Sequence, residues 1–430
     1  MNPQAEELNK IIRAKNPVVF ELLSERGKNI FFPKKGILGQ TADAKGTKIN
    51  ATIGTAVEDD NTPMRLEAIA SKIALDPAKV FPYAPSFGRP DLRAKWKTML
   101  YEKNPSMKGK EVSLPVVTNA LTHGASMAGY LFLNEGEEAI VSDLFWGNYN
   151  LILNHAYGSK IGMFNLFKNG GFDLDAFENK LNDGGIGKKV VILNFPNNPS
   201  GYSPTIDEYN GIVDVIKKSA EAGNKIVVIT DDAYFGLVYE QNVAEESVFA
   251  ALADLHENVL AVKIDGPTKE DYVWGFRVGF ITFAVKGGDA ELYGAIEAKA
   301  AGAVRGNISN AANLSQSLLI EAYEDANYEN QKKAKFELMK VRYDEVKKVL
   351  QNEAYKTYFE ALPFNSGYFM CVKLAEGIDG EALRKLLIEK YSIGIINLNN
   401  VIRVAFSAVA ATDIKELFNG IYNACAELKK

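Results

Sequence analysis

Three stretches of sequence decide the fold: KVVILNFPNNPSG at 189–201, KIVVITDDAY at 225–234 and NVLAVKIDGPTK at 258–269. Each begins as a near-continuous run of apolar residues, which is typical of a strand buried on both faces of a sheet. Each then changes to polar and turn-forming residues. Because ligands bind beyond the carboxyl ends of the strands in open α/β sheets, we expect a functional site at these three ends.

Further apolar runs predict the rest of the sheet. They occupy 114–120, 138–143, 160–166 and 277–284. Stretches with helical character lie between several of the strands, at 122–133, 205–222 and 243–255. This alternation favours an α/β fold built on a mainly parallel, seven-stranded sheet with helices on both faces.

After residue 310 the pattern changes to that of a smaller α+β domain. A long amphipathic stretch comes first, followed by candidate strands and helices at 367–374, 379–390, 393–398, 401–406 and 411–428. Because chain termini often meet, we expect the N-terminal segment to join this domain. A chain of 430 residues is also long for a single core. The predicted division is 1–60 for the N-terminal segment, 61–310 for the large domain and 311–430 for the small domain.

The composition excludes several classes of protein. Hydrophobic residues make up 47% of the chain and charged residues 24%, and a net charge of −5 gives no indication of a nucleic-acid partner. The first residues contain neither a signal-peptide pattern nor an apolar stretch that could span a membrane, so we predict a cytoplasmic protein with no membrane partner. Cys371 and Cys425 are expected to be free buried thiols, and the scattered histidines predict no metal site.

The polar residues at the strand ends occur in a distinctive order. N-x-P-N-N-P-S-G is followed by D-x-A-Y, then by a lysine with an arginine eight residues later, and finally by I-R-V-A-F. This order resembles the class I/II aminotransferase family of fold-type I pyridoxal-phosphate (PLP) enzymes. The matching segments are 194–201, 231–234, Lys269 with Arg277, 402–406, 83–93 and 143–149. The resemblance spans residues from about 50 to 430.

The resemblance implies roles for the residues around the cofactor ring. Lys269 is expected to hold the cofactor as a Schiff base and to move the substrate's α-proton. Asp231 matches the carboxylate that keeps the pyridine nitrogen protonated. Its neighbour Asp232 is the alternative, but it should face the other side of the strand and make a cap or solvent contact. Tyr234 and Asn198 match groups that hydrogen-bond the 3′-oxygen.

The cofactor's phosphate is expected at the start of the helix after the first strand, because free amides at a helix N-terminus attract anions. The resemblance places three residues there: Asn119, Ala120 and Leu121. It adds Arg277 as a charge-assisted partner. Family members usually carry serine three residues before the lysine, whereas this chain has Gly266. The hydroxyl of Thr268 is the alternative donor.

Other residues match positions around the substrate. Trp146 matches an aromatic ring stacked on the pyridine, and with Asn198 it also borders the substrate. Arg403 matches the arginine that binds the α-carboxylate, and its place between apolar strand residues would be costly for an unpaired charge. Gly54 matches a backbone position beside the substrate.

Two residues are expected to act across a dimer interface. Tyr83 matches a tyrosine that reaches the phosphate from the partner subunit, with a core tyrosine as the alternative. Arg305 stands where aspartate- and aromatic-type family members place an arginine for the substrate's side-chain carboxylate. An interface or helix-start arginine is the alternative for Arg305.

The sequence thus predicts a homodimeric PLP-dependent aminotransferase, a transferase of nitrogenous groups in amino acid metabolism. The donor would be an L-amino acid, acidic or aromatic, and the acceptor a 2-oxo acid, 2-oxoglutarate above all. The alternative is another fold-type I PLP enzyme, namely a C–S lyase, decarboxylase or synthase, since fold does not settle the reaction. A ligand sensor fused to a DNA-binding module is disfavoured because no such module precedes residue 50. An NAD-type enzyme is disfavoured because 119–121 is not a G-x-G-x-x-G motif.

Overall fold

The computed structural model describes residues 1–31 and 36–429. Its centre is a seven-stranded sheet, the large sheet, whose strands are β1 Val116–Thr118, β2 Glu138–Ser142, β3 Lys160–Phe164, β4 Lys188–Asn194, β5 Lys225–Asp231, β6 Val259–Asp265 and β7 Gly279–Val285. They lie in the order β1-β7-β6-β5-β4-β2-β3. β7 is antiparallel to its two neighbours, and the other pairs are parallel. The predicted α/β class and mainly parallel seven-stranded sheet are confirmed.

The register of the central strands brings the polar strand ends together. Asn194, the last residue of β4, lies opposite Asp231, the last residue of β5. Asp231 in turn lies opposite Ile264 of β6, one residue before that strand ends. The loops that follow β4, β5 and β6 therefore leave the sheet at the same edge.

Alternate residues of the strands pack into two separate cores. Along β5, Ile226 and Val228 belong to one core, and Val227 and Ile229 belong to the other. This alternation follows from the two-residue period of a strand. The helix Ala120–Phe132 covers one face of the large sheet, and a helix that begins with a capping box at Thr205 covers the opposite face.

The helices around the large sheet are Glu67–Ala70, Pro77–Val80, Pro90–Lys103, Ala120–Phe132, Leu174–Asn182, Ile206–Glu221, Val248–Leu252, Pro267–Glu270 and Ala290–Ile308. The chain begins with the helices Pro3–Lys15, Pro17–Leu22, Glu25–Asn29 and Ile37–Asp43. Toward the C-terminus follow Asn313–Tyr323, Tyr328–Val349, Gly380–Leu386 and Ile414–Leu428. Across the two described ranges, no helix has both the length and the apolar character needed to cross a membrane.

A second sheet, the C-terminal sheet, consists of four antiparallel strands in the order β8-β9-β11-β10. They are β8 Phe359–Ala361, β9 Met370–Leu374, β10 Ile396–Leu398 and β11 Val401–Val404. The N-terminal region packs beside it. Ile49–Asn50 pairs in parallel with Ile393–Gly394, and the Gln40 side chain exchanges hydrogen bonds of 2.8 and 3.0 Å with the backbone of Asn397.

Several elements of the structure differ in extent from those predicted from the sequence. The amphipathic stretch 311–352 forms two helices, because Asp325 accepts a hydrogen bond from the Asn327 amide and turns the chain between them. The stretch 243–255 contains a helix of only five residues, Val248–Leu252. Cys371 and Cys425 are buried free thiols, as predicted.

Gly201 provides a test of the contact between the loop after β4 and the C-terminal sheet. Its φ is +72°, and a methyl group at its Cα would overlap the carbonyl oxygen of Phe369. We expect Gly201→Ala to lower the free energy of unfolding by about 3 kcal/mol, measured by urea titration. The control is Gly136→Ala, which has a φ of +81° but nothing within 4 Å of the added methyl group. Its loss should be about 1 kcal/mol, and equal losses in the two variants would contradict the steric explanation.

Candidate functional site

A cavity of about 440 Å³ opens at the carboxyl edge of the large sheet. Its lining comes from the loops after β4, β5 and β6, from the start of the helix Ala120–Phe132 and from N-terminal residues. The predicted site residues that line it are Gly54, Ala120, Leu121, Trp146, Asn198, Asp231, Tyr234, Lys269 and Arg277. The strand register thus brings most of the predicted site into one space.

Asp231 is the buried carboxylate of the cavity, with 4% of its surface exposed. Its Oδ2 accepts a hydrogen bond of 2.5 Å from the hydroxyl of Tyr149. Its Oδ1 is buried and has no hydrogen-bond partner among the described residues. Burial raises the pKa of Asp231, while the Tyr149 hydrogen bond and the charge of Lys269 oppose that rise. Because an unsatisfied buried carboxylate oxygen is costly, this oxygen is suited to a cationic N–H donor from a bound molecule.

Asp232 faces the other side of the sheet. It accepts a hydrogen bond of 2.5 Å from Ser247 and forms an ion pair with Lys263, a buried residue of β6. The expected cap or solvent contact for Asp232 is therefore wrong. The reason is that β6, the neighbouring strand, presents a lysine to the same face, and this pairing could not be read from either strand alone.

Lys269 lies in the short helix Pro267–Glu270, directly after β6. Its amine is 5.0 Å from the centre of the Tyr234 ring. Burial lowers the pKa of Lys269 to about 8, with the charge of Asp231 raising it and that of Arg277 lowering it. A lysine with such a pKa is partly uncharged near neutral pH and can act as a nucleophile.

Tyr234 is held beside this lysine by other rings. Its ring meets those of Tyr368 and Phe369 edge to face, at centroid distances of 5.3 and 5.5 Å. Burial raises the pKa of Tyr234. The phenol therefore keeps its proton near neutral pH and can donate it in a hydrogen bond to an oxygen in the cavity.

The helix Ala120–Phe132 begins at the end of the cavity that Gly266 borders, since a Cβ on Gly266 would lie 3.4 Å from the Leu121 side chain. Ala120, Leu121 and Thr122 line the space there. Asn119 does not, and this departs from the prediction. Its backbone amide donates to Nδ1 of His123 at 3.0 Å, so that amide is already used within the protein. The structure places 120–122 rather than 119–121 at the cavity.

The structure at Gly266 explains why this chain has no serine three residues before Lys269, and Thr268 offers another hydroxyl at this end. A Cβ on Gly266 would lie 2.9 Å from both the Val278 oxygen and the Gly279 Cα, so a serine does not fit without a backbone shift. Thr268 lines the cavity, and its hydroxyl is buried with no hydrogen-bond partner in the described part of the chain. Arg277 lines the same end, donating to the Trp274 carbonyl at 3.3 Å. Together with the helix start, these groups form an anion-binding end.

Arg403 is a buried cation beside the cavity. It donates to the Thr52 carbonyl at 2.9 Å and to Oδ1 of Asn198 at 3.3 Å. Its guanidinium carbon lies 4.3 Å from the centre of the Phe369 ring. Its Nε is buried and finds no partner within residues 1–31 and 36–429. Burial lowers the pKa of Arg403, and a buried guanidinium with donors to spare is suited to a carboxylate.

Four predicted residues lie outside the lining of the cavity: Asn119 and Arg403, described above, and Tyr83 and Arg305, which lie on the surface. Tyr83 is 91% exposed. Arg305 is also exposed, and it donates to the Ser309 hydroxyl at 2.7 Å. Any contact of Tyr83 or Arg305 with such a cavity would have to be made in a second copy of the chain.

The sequence did not predict two parts of the site: Tyr149, and the residues of the helix Ile37–Asp43 that line the cavity. Tyr149 holds Asp231 and meets the Trp146 ring edge to face at 5.6 Å. Its position, three residues after the predicted site residue Trp146, was the feature of the sequence that could have indicated a role for Tyr149. Ile37, Leu38 and Thr41 line the cavity mouth. They gave no signal, because tertiary contacts of the helix Ile37–Asp43 bring them there.

Comparison with known proteins places most of the chain in one family. The model of the family described as aminotransferase class I and II matches residues 47–421. The chain is 27% identical over 241 residues to an aspartate aminotransferase of Sulfolobus acidocaldarius, covering 55% of this chain and 56% of that protein. It is 28% identical over 312 residues to an aspartate aminotransferase of a Bacillus species, covering 70% and 72%.

Solved structures show the same fold. An aminotransferase from Anaerococcus prevotii superimposes with a TM-score of 0.82 at 23% identity, covering 94% of this chain and 98% of that one. A kynurenine aminotransferase from Pyrococcus horikoshii, solved in complex with PMP, superimposes with a TM-score of 0.79 at 18% identity, covering 96% and 98%. These likenesses confirm the fold expected from the sequence.

The reactivity of Lys269 tests the electrostatics of the cavity. In the ligand-free protein, we expect its acetylation, followed by mass spectrometry, to have a midpoint near pH 8. Because the charge of Asp231 raises the pKa of Lys269, Asp231→Asn should move the midpoint to lower pH. The control is Asp232→Asn, which should leave it unchanged because Asp232 faces the other side of the sheet. A midpoint that rises in Asp231→Asn would contradict the expected charge effect.

Proposed function

Because the chain belongs to the aminotransferase class I and II family, we propose that it is a PLP-dependent aminotransferase that moves an amino group from an L-amino acid to a 2-oxo acid. The observation that carries the proposal is one cavity lined by Lys269 and Asp231, with the buried cation of Arg403 bonded to Asn198 of the same lining. Lys269 has a lowered pKa, and among residues 1–31 and 36–429 neither Oδ1 of Asp231 nor Nε of Arg403 has a hydrogen-bond partner. This reaction requires a lysine that acts as a nucleophile and a carboxylate that pairs with the cationic cofactor ring. It also requires a cation that binds the carboxylate of the substrate.

The residues at the cavity fit a bound pyridoxal phosphate. The cofactor supplies an aldehyde that condenses with amines and a ring that withdraws electrons from the α-carbon. Asp231 Oδ1 would accept a hydrogen bond from the ring nitrogen, Trp146 would pack on the ring, and Tyr234 and Asn198 would hydrogen-bond its 3′-oxygen. The phosphate would take the anion-binding end, formed by 120–122, Thr268 and Arg277.

The remaining groups act on the substrate. Arg403 would bind the α-carboxylate through its Nε–H, which has no partner in the described ranges, and Asn198 and the backbone near Gly54 would border the same space. Lys269, once released, would take the α-proton and return it, because its lowered pKa keeps both protonation states accessible near neutral pH. The other fold-type I reactions are not favoured, since the similar proteins are named as aminotransferases.

For the substrate we propose an acidic or aromatic amino acid, with 2-oxoglutarate as acceptor. Support comes from relatives named aspartate aminotransferase and from a tyrosine aminotransferase of Bos taurus at 24% identity. Arg305 would bind the side-chain carboxylate of an acidic substrate in the partner's cavity.

The proposed assembly is a cytoplasmic homodimer. Its support is the exposure of Tyr83 and Arg305, which lie outside the cavity of their own chain. The proposed domains remain 1–60 joined to 311–430, and 61–310. The two sheets fall on either side of residue 310, and the pairing of Ile49–Asn50 with Ile393–Gly394 supports the link between the chain ends.

Removal of the lysine tests the proposal as a whole. Wild-type protein incubated with PLP should show a visible absorbance band that amino donors abolish, and borohydride should attach the cofactor to Lys269. Lys269→Ala should lose the attachment and at least about 10⁴-fold of the turnover. The control is Lys263→Arg, a buried lysine on the preceding strand that keeps its charge. Attachment to another lysine, or a wild-type protein without the band, would refute the proposal.

Arg305→Ala tests the proposed substrate preference. We expect kcat/KM for aspartate and glutamate to fall about 100-fold, because a charge-assisted contact with the side-chain carboxylate is lost, and that for tyrosine to change little. Lys299→Ala, which removes an exposed cation from the same helix, is the control for a general charge effect. A uniform loss for all donors would favour the interface interpretation of Arg305 instead.

A further inference from the structure

Three buried carboxylates surround the turn that carries Lys269. Asp265 ends β6, and Glu270 and Asp271 follow the lysine directly; none of the three is more than 6% exposed. Unpaired negative charges at such positions would raise the pKa of Lys269 and keep its amine protonated. Instead that pKa is lowered, and the charges that act on it are those of Asp231 and Arg277. Each of the three carboxylates has a cationic partner of its own.

Glu270 is paired from two sides. Lys103, the last residue of the helix Pro90–Lys103, lies 2.8 Å from it, and Lys332, in the helix Tyr328–Val349, lies 2.7 Å from it. Although burial raises the pKa of Glu270, these two cations hold it below its usual range. Glu270 therefore stays charged, and it is not among the residues that line the cavity.

Asp271 depends on Lys332 for its counter-charge. Lys332 lies 3.1 Å from it, and the hydroxyls of Tyr323 and Tyr328 donate to it at 3.0 and 2.7 Å. In the described part of the chain, Asp271 forms an ion pair with Lys332 alone, whereas Glu270 forms ion pairs with both Lys332 and Lys103.

Asp265, at the other end of the turn, has partners of its own. Trp96 Nε1 donates to it at 3.0 Å, and Lys263 lies 3.6 Å away. Lys263 also pairs with Asp232, and Trp96 packs against both Lys103 and the Tyr323 ring, so this cluster adjoins the partners of Glu270 and Asp271. Loss of Lys332 would leave Asp265 paired but would leave Asp271 without a cation.

We propose that Lys332 is a positioning residue for Lys269, which rests on the proposed role of Lys269. Lys332 contacts the side chains of both residues that follow the lysine, so it fixes the end of the turn and supplies the cation with which Asp271 pairs. The backbone of the same turn is held by Tyr368, whose hydroxyl donates to the Lys269 carbonyl at 2.8 Å. Lys332 itself does not line the cavity, and it acts through Glu270 and Asp271.

The test is the pH dependence of cofactor attachment to Lys269 in the ligand-free protein, with PLP as the probe and borohydride trapping as the readout. In Lys332→Met, Asp271 is left as an uncompensated buried charge. We expect the pH midpoint of attachment to rise by about one unit or more, which corresponds to about a tenfold slower attachment at pH 7. We also expect kcat at pH 7 to fall in the same variant, while KM for the amino donor changes little.

A matched control comes from the same helix. Lys335 forms an ion pair with Glu58, so Lys335→Met removes a comparable pair that does not touch the Lys269 turn. Its midpoint should equal that of the wild type. The double variant Lys332→Met with Asp271→Asn removes the uncompensated charge and should return the midpoint to the wild-type value.

The outcomes separate the two proposals. An unchanged midpoint in folded Lys332→Met, or a midpoint that stays shifted in the double variant, would overturn the role of Lys332. If Lys332→Met does not fold, Lys332→Gln is measured in its place, with the same expected shift and the same refuting result. If the wild-type protein attaches no cofactor at Lys269, the proposed function fails before Lys332 is tested.

Discussion

The site depends on the burial of three ionisable side chains close to one another. Asp231, Lys269 and Arg403 are each buried enough to shift their pKa values toward the neutral form. Such burial is unfavourable for every one of them. It is tolerated because Asp231 and Arg403 keep hydrogen bonds to the protein and the Lys269 amine lies over the Tyr234 ring. Asp231 and Lys269 line the cavity and Arg403 bonds to Asn198 of its lining, so the ligand we propose would complete the arrangement.

The large sheet makes this burial possible. Its two cores, packed on opposite faces, give the rigid support from which the loops after β4, β5 and β6 leave at one edge. The same alternation that separates the cores also separates Asp231 from Asp232. One carboxylate faces the cavity, and the other is neutralised by Lys263 on the far face. Two adjacent acidic residues can therefore have different electrostatic surroundings, because a strand places them on opposite sides.

Much of this arrangement could be predicted from the sequence. The buried strands are continuous apolar runs, and the residues at their ends follow a family pattern, so the fold and most residues around the cavity were foreseen. Contacts between distant segments were not. The pairing of Asp232 with Lys263, the hydrogen bond from Tyr149 to Asp231 and the use of the Asn119 amide by His123 depend on which elements become neighbours. The cavity mouth at Ile37 and Leu38 was missed for the same reason, since no local pattern marks a helix that reaches a site through tertiary packing.

The close approach of backbones at Gly266 limits how this protein can change. The main chain of the Val278–Gly279 segment occupies the volume that a side chain at Gly266 would need. A single codon change at that position could not supply a seryl hydroxyl without moving a neighbouring strand. Because the obstructing atoms belong to the backbone, a second change of side chain at Val278 would not make room, and a hydroxyl at this end of the cavity has to come from another residue, such as Thr268.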